Sequence, residues 1–262
     1  MDGPAIVIAG VLGLPVGTVL NHIILGVPGY VIRDPGDLPE GADPALLDEL
    51  EPAPGRVRVP LLTILRPGRA TPRWLPIIEV LTAAAYALTA WRFDAGALAV
   101  PIGFLMTALV ALAAIDARVY RLPDELNLPA IGIGFVLIAT ASVYLDVPGA
   151  IGGAVIGAVG YTLLLGLFHV ISPRGLAFGD VKLAALLGMY LGWLGWRSGP
   201  FGDQVIESMY LVVLAAGVGC TLGAVVGLGY AAVRRSMRSV VPFGPSLAFA
   251  TAIIVLWAFD LR

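Results

Sequence analysis

Charged side chains are scarce in this chain. Asp, Glu, Lys and Arg together make up 13% of its 262 residues, roughly half the share usual in a soluble globular domain. Its one cysteine, Cys220, lies inside an apolar run, so neither an internal disulfide nor a cysteine-rich zinc site is open to it. The two histidines, His22 and His169, stand far apart and lack metal-ligand spacing, and no metal site is expected. A formal net charge of −2 without a basic stripe argues against nucleic acid as a partner. What is abundant is apolar: 58% hydrophobic residues and a mean hydropathy of +0.91. That balance belongs to an integral membrane protein with the lipid bilayer as its surroundings.

A helical membrane span needs about 20 apolar residues. Eight stretches suit, at 5–26, 75–91, 97–115, 129–145, 149–171, 181–196, 208–231 and 243–259. They predict an all-α fold, a polytopic membrane helical bundle of about eight transmembrane helices forming a single integral membrane domain over 1–262. The first stretch has only Met1 and Asp2 before it and no small-residue cleavage site after it, so it reads as a retained span and not a removed signal peptide. The sixth, VKLAALLGMYLGWLGW, is short and glycine-rich, and Trp193 and Trp196 near its far end suit an interfacial belt. Glycines at Gly152, Gly153, Gly157 and Gly160, and again at Gly217, Gly219, Gly223 and Gly227, have spacings that let helices pack closely in lipid.

Short loops rich in Lys and Arg stay in the cytoplasm. The loops after the first, third, fifth and seventh stretches hold Arg33, Arg56, Arg58, Arg66, Arg69, Arg73, Arg118, Arg121, Arg174, Lys182, Arg234, Arg235 and Arg238, against Arg92, Arg197 and Arg262 on the other side. Both termini are therefore expected outside. The large cytoplasmic loop, 30–73, is acidic in its first half and basic in its second, and its PALLDELEP suits a short helix capped by Asp43. A solvated loop explains it; its acidic half could also attract basic segments of a substrate.

Two carboxylates stand at the ends of apolar runs: Asp116 in ALAAIDARVYRLPDELNLP and Asp180 in RGLAFGDVKLAALLGMYLGW. With one pair of spans between them, both fall at the cytoplasmic face. Ionisable groups inside membrane segments are costly and commonly functional. Two aspartates held together cannot both ionise readily, so one keeps a proton while the other takes a proton from water. That is the division of labour of an aspartic protease, which needs neither metal nor nucleophilic side chain. The residues alone also allow plainer roles: Asp180 as the N-cap of its helix, and Asp116 as an interfacial partner of Arg118 or Arg121. A small proton- or cation-coupled transporter would place carboxylates near mid-membrane in broken helices, which is not the pattern here.

IDARVYRLPDELNLP and AFGDVKLAALLGMYLGW resemble the two aspartate segments of the bacterial prepilin peptidases, the GxGD-type type IV leader peptidases. LPVGTVLNHII, VPLLTILRPGRATPRWLPIIEVLTA and VPFGPSLAFA resemble their first helix, second-helix region and last helix, in order. The resemblance implies an intramembrane aspartic endopeptidase of the bacterial inner membrane. It would remove a short basic leader from type IV prepilins or pseudopilins after a glycine. It also implies Asp116 and Asp180 as the catalytic pair, with Gly179, Lys182, Glu79 and Asp124 in support; Glu79 also has a plain reading as a helix-end carboxylate paired with Arg73, and Pro123 and Asp124 read as turn and helix-cap residues of the fourth span. The first glycine of GxGD is Ala177 here, and 30–73 has none of the paired CxxC motifs that many members carry, which excludes a zinc-organised loop. Methylation of the new N-terminus with S-adenosylmethionine rests on the resemblance alone; no cofactor is needed for the proteolysis. A family member that binds pilins without cutting them is the remaining alternative.

Overall fold

The computed structural model describes residues 3–26, 75–93, 96–119, 122–172, 176–196, 199–234 and 242–257. They form eight α-helices, with no strand among the described residues: α1 (Gly3–Gly26), α2 (Leu75–Phe93), α3 (Ala99–Val119), α4 (Asp124–Tyr144), α5 (Ala150–Ile171), α6 (Phe178–Gly195), α7 (Phe201–Arg234) and α8 (Gly244–Trp257). Each of the eight apolar stretches is a helix. The 30–73 loop, its short helix at PALLDELEP and Arg73 as a partner for Glu79 lie outside the described residues.

By length and composition, five helices are long and apolar enough to cross a membrane: α1, α3, α4, α5 and α7. α2 is diluted by Glu79 and Arg92 and α6 by Asp180 and Lys182, while α8 is apolar but only 14 residues long. At 34 residues, α7 is about 50 Å long, more than a hydrocarbon core of about 30 Å requires.

Three helix starts lie well before those that hydropathy suggests. α4 begins at Asp124, so Pro129 is inside the helix. A proline reads as a boundary because it lacks an N–H, yet one near a helix start forfeits little. α6 begins at Phe178 and α7 at Phe201, because helices continue through polar residues once they leave the apolar layer.

The chain packs as two compact units. The first gathers α1, α2 and α3, and the second α4 to α8. In the first, glycine lets α1 lie against α2: a Cβ on Gly13 would stand 2.6 Å from Ala83 Cα, and one on Gly17 2.6 Å from Glu79 Cα. In the second, α6 is the central helix, buried along almost all of Asp180–Gly195 and packed against α5, α4 and α8. Its seam with α5 is built from Gly153 and Gly157 on one side and Gly188 and Gly192 on the other, backbone against backbone. Without a hydrophobic driving force inside lipid, close van der Waals contact of this kind holds helices together. Trp193 is not the interfacial anchor expected of it: it is buried, and its Nε1–H donates to Ser142 Oγ at 2.8 Å, tying α6 to α4.

Candidate active site

Asp180 sits in the first turn of α6 and is 3% exposed. The structure corrects its expected role as N-cap. The cap is Ala177, and Asp180 stands three residues on, its Oδ2 accepting the Ala177 backbone N–H at 3.2 Å. That is the return half of a capping box; alanine has no side-chain oxygen to supply the other half. The substitution of alanine for the first glycine of GxGD is absorbed without strain, since Ala177 has φ −72°. Being at a helix start, Asp180 meets free backbone N–H groups and the positive end of the helix dipole, which favour an anion.

The neighbours of Asp180 within the second unit are ordered. A Cβ on Gly179 would lie 3.2 Å from Leu122 Cβ, so a larger residue there would press on the segment leading into α4. Lys182 Nζ donates to both carboxylate oxygens of Asp124, at 2.6 and 2.8 Å, and stands 5.2 Å from the centre of the Phe178 ring. Asp124 is therefore an ion-pair partner and not a cap: Pro123 occupies the cap position and no side chain bonds there. The pair joins the starts of α4 and α6, which run parallel. His169 packs on the Phe178 ring and its Nδ1–H donates to Leu176 O at 2.7 Å, holding the approach to α6.

Asp116 belongs to the first unit, in the last turn of α3, and is 5% exposed. It follows the buried Leu112 and Ile115 on the same helix. Its position is the converse of that of Asp180, because the end of a helix presents carbonyl oxygens and the negative end of the dipole.

Glu79 is also in the first unit, fully buried on α2. Thr18 Oγ1 donates to its Oε1 at 2.9 Å and Asn21 Nδ2 at 3.4 Å; the same Nδ2 donates to Leu75 O at 3.1 Å. Thr18 and Asn21 escaped the sequence reading, although two polar residues three apart in the apolar α1 were a visible signal. Asn127 escaped it too. It is buried one turn into α4, and neither its Nδ2 nor its Oδ1 has a hydrogen-bond partner. No cluster of His, Cys, Asp and Glu suited to a metal ion occurs among the described residues.

These observations define a class first: a multi-pass helical membrane protein whose buried carboxylates gather at helix ends. The chain belongs to the Type IV leader peptidase family, whose pattern matches residues 103–255, from α3 through most of α8. It is 35% identical to a prepilin leader peptidase/N-methyltransferase of Pseudomonas putida over 71% of this chain and 59% of that protein. Proteins of the same description match at 31% identity in Dickeya chrysanthemi, over 92% of this chain and 89% of the relative, and at 28% in Xanthomonas campestris, over 95% and 90%. No solved structure matches the chain.

Proposed function

We propose that this protein is a membrane aspartic endopeptidase that removes the short basic leader of type IV prepilins or pseudopilins after a glycine. It would act as one membrane domain of the bacterial inner membrane with its active site at the cytoplasmic face. The Lys and Arg distribution supports that orientation, and the family and the names of the relatives support the substrate class. The observation that carries the reading is the burial of two aspartates, Asp116 and Asp180, at opposite kinds of helix end in otherwise apolar helices.

In this mechanism Asp180, favoured as an anion by its helix start, takes a proton from the attacking water. Asp116, at a helix end that disfavours charge, enters as the acid and donates to the scissile carbonyl oxygen. The water oxygen bonds to the carbonyl carbon, and collapse of the tetrahedral adduct breaks the C–N bond as the nitrogen takes up a proton. The Lys182–Asp124 pair and Gly179 hold the start of α6, and so Asp180, against α4. The unspent donor and acceptor of Asn127 suit the backbone of an extended substrate.

The relatives are described as N-methyltransferases as well, a chemistry that would draw on S-adenosylmethionine. A cavity of about 480 Å³ beside α7 is lined by Tyr210, Val213, Leu214, Gly217, Val218, Thr221 and Leu222, with no carboxylate to meet a sulfonium or a ribose. The proteolytic reading is tested by incubating purified protein with a prepilin: the leader is lost with the wild type and retained with Asp116→Asn, and intact cleavage by that variant would overturn the dyad.

A further inference from the structure

Tyr161 takes no part in the proteolytic mechanism, yet it carries a polar group into the core of the second unit. Its side chain is fully buried, and its Oη has no hydrogen-bond partner among the described residues. An orphaned buried hydroxyl costs about 1–3 kcal/mol, and a phenylalanine ring would fill the same space without that cost. Such orphans are few in native cores.

The packing brings Tyr161 near Asp180. α5 and α6 run antiparallel across a short connection, with Gly157 against Gly188 and Gly192, and Gly166 facing Val181. Tyr161 lies between these contacts and faces α6, since a Cβ on Gly188 would stand 2.7 Å from the Tyr161 Cβ. On the next helix, Ser208 Oγ donates to Gly192 O at 2.9 Å. Twelve residues on along α7 is Cys220, and twelve back along α6 is Asp180, so antiparallel packing carries these two to one level. Besides burial, the ionisable groups that act on the Tyr161 phenol are those of Cys220 and Asp180. A thiol is neutral at neutral pH, which leaves the Asp180 carboxylate as the charge. Tyr190 provides the contrast. Its hydroxyl is equally buried and unpartnered, but burial is what acts on it, and ten residues of α6, about 15 Å, separate it from Asp180.

Resting on the peptidase reading above, we propose that Tyr161 is a positioning residue of the proteolysis, acting through Asp180. Its O–H is bound to no neighbour, so it turns about the C–O bond to follow the charge of the carboxylate. Directed at ionised Asp180, the hydroxyl dipole favours the anion that must take a proton from water, and the apolar surroundings strengthen that interaction. When Asp180 holds the proton, the hydroxyl turns away. Tyr161 itself forms and breaks no bond.

The test uses the full chain in detergent micelles and compares Tyr161→Phe with Tyr190→Phe. Tyr161→Phe should lower kcat for leader cleavage about fivefold, the scale of one ordinary hydrogen bond. It should leave KM as it is and leave the thermal midpoint unchanged or raised, because an orphaned hydroxyl is removed. Tyr190→Phe should alter neither kcat nor KM. Infrared difference spectra follow the phenol directly: Asp180→Asn should move a tyrosine C–O band in the wild type and none in the Tyr161→Phe background. An unchanged kcat in Tyr161→Phe, an equal loss in Tyr190→Phe, or a tyrosine band indifferent to Asp180→Asn would overturn the proposal. Should Asp180→Asn not fold, kcat decides alone. The two readings fail separately. A tyrosine band that answers to Asp180 without cleavage by the wild type would sink the peptidase reading and leave the coupling of Tyr161 to Asp180 standing; cleavage with kcat unchanged in Tyr161→Phe would do the reverse.

Discussion

The two aspartate-bearing helix ends differ in kind. Asp180 opens α6, accepts a backbone N–H from Ala177 and stands where the helix dipole welcomes a negative charge. Asp116 closes α3, where the dipole opposes one. Two identical side chains thus carry different biases before any contact between them is considered. On the proposed reading, the place of each carboxylate on its helix would decide which of the two acts as acid and which as base.

Breaking either member should have the largest effect. Asp116→Asn and Asp180→Asn should each lower prepilin cleavage by at least about a thousandfold, the scale of a lost acid or base, measured as the initial rate of leader loss. Stability should separate them: Asp180→Asn, which removes a favourable charge from a helix start, should lower the thermal midpoint more than Asp116→Asn does.

The scaffold behind Asp180 comes next. A Cβ on Gly157 would collide with the Gly188 carbonyl and come within 2.7 Å of Gly192 Cα. Gly157→Ala should therefore part α5 from α6 and cost about 1–3 kcal/mol, read by thermal or denaturant unfolding in micelles. The missing half of the capping box can be restored. Ala177→Ser should add about 1 kcal/mol, provided its hydroxyl accepts the Asp180 N–H; an unchanged midpoint would show that the cap is not limiting. Smallest is Lys182→Met. The pair with Asp124 is partly exposed, at 32% and 48%, so its removal should cost less than about 1 kcal/mol of stability. A larger loss of activity than of stability would mean that Lys182 positions Asp180.

The helices were legible because lipid demands long apolar runs, and each of the eight runs is a helix. Their starts were less so: Pro129 suggested a boundary that belongs at Asp124, and the polar turn after Phe201 hid the beginning of α7. The two aspartates stood out as charges in apolar surroundings. Their capping state did not, because Ala177 carries no capping signal. The bonds joining Thr18 and Asn21 to Glu79 span more than fifty residues, and that of Trp193 to Ser142 links different helices. Periodicity within one segment cannot report such partnerships. The Lys182–Asp124 pair was foreshadowed residue by residue through the family resemblance, but not as a pair.

Asp116 and Asp180 are proposed to act together in peptide hydrolysis. Mass spectrometry of a prepilin from the same organism, after incubation with the purified wild type, Asp116→Asn or Asp180→Asn, tests it most directly. A new N-terminus directly after a leader glycine is expected with the wild type, and intact prepilin with either variant. Intact prepilin in every sample, while another member of the family cuts it, would contradict the peptidase reading; cleavage that survives either substitution would contradict the dyad.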